Sequence, residues 1–187
     1  MHKYIVKKSK YHKKFLFIDR DGTLIPEPRN YWIRNESEIQ ELNFNVDLMK
    51  KLLSLDFGII IITNQRGIAL QEVELKAYIG ICHKLENLLK HHGIEITAIF
   101  TCPHDSECYY CRKPNAGMIL EAAKMFDINL EECWTIGDNK KDINAGQKAK
   151  TKVAMIQKRY IQESQEFPVF DAMDRVLEYI YECEVNK

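Results

Sequence analysis

The sequence predicts an α/β fold, with a mainly parallel sheet held between layers of helices. Short apolar runs of strand length alternate with segments of helical period, and polar clusters stand immediately after several of the runs. The runs are FLFI (15 to 18), GIIII (58 to 62), ITAIFT (96 to 101), CWTI (133 to 136) and KVAMI (152 to 156). None shows strict polar alternation, as expected of strands buried on both faces. Between them, Leu75, Tyr78, Ile79, Cys82, Leu85, Leu88 and Leu89 recur at intervals of three and four and form one apolar stripe, ended by His91, His92 and Gly93. Met118, Ile119, Ala122, Ala123 and Phe126 repeat the pattern, as do Val46, Leu48, Met49, Leu52 and Leu53. Val176, Leu177, Ile180 and Tyr181 mark a last helix within Phe170 to Cys183. In such folds ligands sit at the carboxyl ends of the strands.

The 187 residues suffice for one compact domain. With 45% hydrophobic and 29% charged residues, a wholly disordered or collagen-like chain is excluded. Basic and acidic residues number 27 each, but residues 1 to 14 carry six Lys and no acid, leaving 21 bases against 27 acids elsewhere. The expected division is a basic arm, 1 to 14, read as a solvated tail, and a single domain, 15 to 187. No Pro/Gly/Ser linker interrupts it. The arm lacks the apolar run of a secretory signal, and Ile59 to Ile62 falls far short of a membrane span. A cytoplasmic protein with no membrane partner is expected.

The first strand runs into Asp19-Arg20-Asp21-Gly22-Thr23-Leu24. Two carboxylates two residues apart can face one site if the chain turns, and Gly22 permits the turn. Thr63-Asn64-Gln65 follows the second run and Gly137-Asp138 the fourth, with Asp142 beyond; Lys113 lies in the loop before a helix. Topology should bring these clusters together. Asn139, Lys140 and Lys141 are read as loop surface.

Six Cys are present: Cys82, Cys102, Cys108, Cys111, Cys133 and Cys183. Cys102, Cys108 and Cys111 share a short segment with His104. One imidazole and three thiolates are the number and softness of ligands that close a tetrahedral Zn²⁺ site, so a structural ion in a reducing compartment is expected rather than disulfides. The other three read as buried small hydrophobes.

The set DRDGT, TNQ, RKP and GDNKKD resembles the haloacid dehalogenase superfamily of phosphohydrolases over roughly residues 15 to 156. Within it the pieces are similar to the small bisphosphatase branch that includes D,D-heptose bisphosphate phosphatase and histidinol phosphatase. The resemblance implies a Rossmann-like parallel sheet and assigns roles. Asp19 is the nucleophile, Asp21 the general acid and base, Thr63 a phosphate ligand and Lys113 the charge neutraliser. Asp19, Asp138 and the backbone carbonyl of Asp21 hold Mg²⁺, while Asp142 holds the lysine or a metal-bound water. Asn64 and Arg112 are expected to bind substrate. The branch carries a zinc loop just before its Arg-Lys-Pro; here two residues, Tyr109 and Tyr110, separate the last two Cys.

Asp19 to Thr63 and Thr63 to Lys113 enclose 43 and 49 residues, barely enough for core elements, so a capless fold is expected with specificity from short loops: Pro26 to Ile33, the stretch after Gln65, and the zinc loop. The sequence TNQRGIA favours the heptose bisphosphatase reading. Histidinol phosphate is the alternative; a nucleic-acid 3′-phosphatase and a non-catalytic phosphosugar-binding module rank lower. The expected partner is a small phosphorylated metabolite rather than nucleic acid, and the expected state is a monomer. Arg112, with Arg66 or Arg29, is available for a second anionic group.

Overall fold

The computed structural model describes residues 1–6, 12–157 and 166–186. In chain order the strands are β1 His2–Ile5, β2 Lys14–Ile18, β3 Phe57–Asn64, β4 Ala98–Cys102, β5 Trp134–Gly137, β6 Lys152–Ile156 and β7 Val169–Phe170. The helices are α1 Val46–Leu53, α2 Arg66–Ala69, α3 Leu75–His91, α4 Gly117–Phe126, α5 Lys140–Ala149 and α6 Met173–Val185. The sheet has the order β1-β4-β3-β2-β5-β6-β7. All neighbouring pairs are parallel except β1 with β4, so the sheet is mixed rather than purely parallel.

Residues along the central strands alternate between two cores. Leu16, Ile18, Ile59 and Ile61 face the layer that contains α1, α3 and α6, where Met49, Leu52, Ile81, Leu85, Val176 and Leu177 close over them. Phe15, Phe17, Ile60 and Ile62 face α4 and α5, against Met118, Ile119, Ala122 and Ala145. Burial on both sides explains the unbroken apolar runs.

The basic arm is not wholly a solvated tail. His2 to Ile5 pair with Thr101 to Ala98 in antiparallel register. Tyr4 packs against the core and its hydroxyl meets His83 Nδ1 at 2.6 Å and donates to Glu86 at 2.5 Å, while Lys3 reaches Glu121 at 2.6 Å. Lysine on an edge strand discourages pairing with other chains, and that charge masks the strand in the sequence. Residues 7–11 of the arm lie outside the described residues. The last helix begins at Met173, because Phe170 is committed to β7 beside Ile156.

Strand β2 has β3 and then β4 on one side and β5 on the other. The chain therefore reverses its direction of winding beside β2, and the crevice at the carboxyl ends of β2, β3 and β5 is where this topology places a ligand.

Candidate active site

Asp19 follows β2 directly, and its N–H donates to Ile136 O of β5 at 2.9 Å. Asp138 follows β5. Gly22 has φ +77°, and a Cβ there would lie 2.0 Å from Asp138 Oδ2, so glycine is required both for the turn and for the approach of the second acidic loop. A side chain on Gly137 would likewise meet Asp142 atoms at 2.4 Å.

Lys113 is buried, with each of its three ammonium protons engaged: Asp19 Oδ1 at 2.5 Å, Asp142 Oδ1 at 2.6 Å and Ile62 O at 2.9 Å. Asp142 also accepts the Asn139 N–H at 3.0 Å, which caps α5. Asn139 is thus the cap of a helix and Lys140 and Lys141 are its first turn, not loop. The Asn64 side chain closes on the Lys113 peptide, accepting its N–H at 3.1 Å and donating to its carbonyl at 3.1 Å. Thr63, also buried, accepts from Gln65 Nε2 at 2.8 Å.

These residues surround a cavity of about 210 Å³ lined by Asp19, Asp21, Thr63, Asn64, Lys113 and Asp138, among others. Glu27, Tyr31, Trp32, Gln65, Arg66 and Lys141 complete much of its wall, and none of them was assigned a firm role from sequence. A larger hollow of about 400 Å³ alongside, which includes Glu27, Arg29, Glu38 and Glu41, contains none of the strand-end residues. The chemistry belongs to the smaller cavity.

Burial drives the Asp19 carboxyl well above the ordinary range; Lys113 opposes that, while Asp142 and Asp21 add to it. For Lys113 burial favours the neutral amine, but Asp142 and Asp19 prevail and its pKa is raised. One ammonium is thus shared between two carboxylates. Ligand oxygens of Asp19, Asp138 and Asp142 lie within 4.8 Å of one another. Hard oxygen donors with a deficit of positive charge fit a small divalent cation such as Mg²⁺. Asp142 is held by Lys113 and the Asn139 N–H, while Asp19 and Asp138 follow the neighbouring strands β2 and β5 and both line the cavity.

Beyond β4, ligand atoms of Cys102, His104 and Cys111 also lie within 4.8 Å of one another, with His104 Nδ1 3.3 Å from Cys111 Sγ and 3.6 Å from Cys102 Sγ. Cys108 is outside this group. It is exposed, and Ser106 Oγ donates to its sulfur at 3.2 Å. Tyr109 stacks on His104 at 3.9 Å between ring centroids. Burial, and then the Cys111 thiol, push Cys102 up to about 11. Soft donors gathered at this spacing fit Zn²⁺, with Cys108 the remaining thiol of the same loop.

Arg112 does not line the cavity. Its Nη1 donates to His104 O at 2.6 Å, and its Nε, buried, has no hydrogen-bond partner among the described residues. The guanidinium thus braces the cysteine loop through the His104 carbonyl. Cys82 and Cys133 are buried, as expected, and Cys183 is partly so.

A family model described as polynucleotide kinase 3 phosphatase matches residues 14–176. The chain is 37% identical over 145 residues to a D-glycero-alpha-D-manno-heptose-1,7-bisphosphate 7-phosphatase of Photorhabdus laumondii, covering 73% of this chain and 78% of that protein. It is 39% identical over 142 residues to a D-glycero-beta-D-manno-heptose-1,7-bisphosphate 7-phosphatase of Helicobacter pylori, covering 74% and 80%. Among solved structures, D,D-heptose 1,7-bisphosphate phosphatase from B. bronchiseptica, complexed with magnesium and phosphate, superposes with a TM-score of 0.80 at 25% identity, covering 90% of this chain and 98% of that one. With its strand-end carboxylates, threonine and lysine converging on one cavity, the chain belongs to the haloacid dehalogenase superfamily of phosphatases, within the polynucleotide kinase 3 phosphatase family.

Proposed function

We propose that this phosphatase removes the 7-phosphate of a D-glycero-D-manno-heptose 1,7-bisphosphate through an aspartyl-phosphate on Asp19. The observation that carries the reading is the meeting of Asp19, Asp21, Thr63, Lys113 and Asp138 in one cavity. The heptose relatives support the substrate. Mg²⁺, when bound by Asp19, Asp138 and the Asp21 carbonyl, supplies positive charge that lets a carboxylate approach a phosphate dianion.

The rest is the work of the chain. An Asp19 oxygen attacks phosphorus; the new O–P bond forms as the ester O–P bond breaks, and the leaving oxygen keeps the electron pair. Asp21 gives that oxygen its proton. In the second half, ionised Asp21 takes a proton from water, the water oxygen bonds to phosphorus, and the Asp19–phosphorus bond breaks with its electron pair returning to the carboxylate. Lys113 neutralises charge near Asp19, and the Thr63 hydroxyl with the Asn64 N–H donates to phosphoryl oxygens.

Arg66 and Lys141 line the cavity and suit the remote 1-phosphate. The zinc loop, held by Cys102, His104, Cys111 and Cys108, fixes the backbone that carries Lys113. The core without a cap domain, a monomeric state and a cytoplasmic setting complete this reading; no helix among the described residues is long and apolar enough to cross a membrane.

The test compares both anomers of the heptose bisphosphate with histidinol phosphate and a 3′-phosphorylated oligonucleotide. A heptose anomer should give the highest kcat/KM. A higher value for histidinol phosphate or the oligonucleotide would overturn the sugar assignment and leave the mechanism standing.

A further inference from the structure

Among the described residues the largest fully buried side chain is a charged one, Arg20, the residue between the two motif aspartates. Its Nε donates to Asp21 Oδ1 and its Nη2 to Asp21 Oδ2, both at 2.8 Å, a bidentate fork on the acid-base residue. The guanidinium carbon lies 5.9 Å from the ring centroid of Tyr78 on α3, and the Tyr78 hydroxyl meets Thr101 Oγ1 of β4 at 2.5 Å. Tyr78, itself held by Thr101, thus flanks the guanidinium, whose Nη1 is buried with no hydrogen-bond partner among the described residues.

Gln65, also buried, adds a second hold. Its Nε2 donates to Asp21 Oδ2 at 2.9 Å and to Thr63 Oγ1 at 2.8 Å. Because Thr63 accepts here, its own hydroxyl proton is left to donate elsewhere. Asp21 Oδ2 thus receives two donors and Oδ1 one, and a carboxylate oxygen offers two lone-pair sites. Oδ1 is the oxygen with spare capacity among the described residues. An arginine buried next to a single carboxylate is costly to desolvate, and the pair as a whole is weak evidence for a gain in stability, so a purely structural role does not account for it well.

We propose that Arg20 and Gln65 are positioning residues that hold the Asp21 carboxylate still, so that Oδ1 carries the transferred proton, and that Gln65 ties this hold to the phosphoryl-binding hydroxyl of Thr63. The inference rests on Asp21 being the general acid and base.

A proton donor matters most for a basic leaving group, so the readout is the leaving-group dependence of the first chemical step. Single-turnover release of phenol from phenyl phosphate and of dinitrophenol from 2,4-dinitrophenyl phosphate is measured with full-length, Mg²⁺-loaded enzyme in excess. Asp21→Asn, Arg20→Lys and Gln65→Leu are compared with the parent. General acid catalysis contributes about 10²- to 10⁴-fold, so the two positioning variants should lose at least ~30-fold on phenyl phosphate and under ~3-fold on the dinitrophenyl ester. Equal losses on both esters, with Asp21→Asn still selective, would overturn the positioning role alone. A nonselective Asp21→Asn would overturn the acid role and this inference with it. If thermal melting shows that Arg20→Lys does not fold, Gln65→Leu decides by the same criterion.

Discussion

Asn64 and Lys113 lie 49 residues apart in sequence, and the side chain of the first grips the peptide of the second by its N–H and its carbonyl, each at 3.1 Å. The register of β3 on β4 pairs Asn64 with Cys102, so the strand that ends in the phosphate motif also lies beside the start of the cysteine loop. One amide side chain thereby positions the buried Lys113 relative to Thr63.

Asn64→Ala keeps the backbone N–H but releases that peptide. Loss of alignment should lower kcat by about 10- to 100-fold with little change in KM. Steady-state kinetics with the heptose bisphosphate checks this; a raised KM with unchanged kcat would show that Asn64 serves binding instead.

Asp138 and Asp142 both lie near Asp19, and Asp142 is paired with Lys113 at 2.6 Å. Asp138→Asn should raise the Mg²⁺ concentration needed for half-maximal activity by about 10-fold or more, in line with the effects of removing metal-site partners. Asp142→Asn should instead lower kcat and the melting temperature, because a buried ammonium loses one of its two counter-charges. Magnesium titrations and thermal melts of the two variants distinguish them.

Elemental analysis after dialysis should find one Zn²⁺ per chain. Cys111→Ser should lose it, and Cys108→Ser should hold it more weakly and be less active. Cys108 is exposed, so it should be alkylated rapidly after chelation and slowly once Zn²⁺ is restored. An alkylation rate indifferent to Zn²⁺, with full retention by Cys108→Ser, would remove Cys108 from the ligand set.

Cys133 is buried at the base of β5, accepting the Phe15 N–H at 3.2 Å and donating to Asn129 O at 3.1 Å. Burial pushes its thiol from 9.0 up to about 11. A thiol that ionises later in the folded state than in the unfolded chain favours folding below pH 9; this contribution is lost as pH rises from 9 toward 11. Denaturation midpoints should fall across that interval, and fall less in Cys133→Val. Equal slopes would show that other groups dominate.

The central strands were legible because burial on both faces leaves unbroken runs such as Ile59 to Ile62, and the ends of those runs carry Asp19, Thr63 and Asp138. The edge strand at His2 to Ile5 was not, since Lys3 and His2 face solvent and mimic a tail. Gln65 stood in view within TNQ, but its bridge from Asp21 to Thr63 depends on the turn after β3, which composition does not encode. The contact of Arg112 with the His104 carbonyl likewise depends on a local turn, Arg112 N–H to Tyr109 O, that composition does not encode. Lys141 is exposed, as expected, but nothing local reveals that α5 starts at the rim of the cavity.

The central claim is that Asp19 becomes phosphorylated. A crystal structure of the protein with Mg²⁺ and beryllofluoride, an aspartyl-phosphate mimic, tests it most directly. The expected result is beryllium bonded to an Asp19 carboxylate oxygen, with its fluorines near Thr63, the Asn64 N–H and Lys113. Beryllofluoride on any other side chain, or turnover retained by Asp19→Asn, would contradict it.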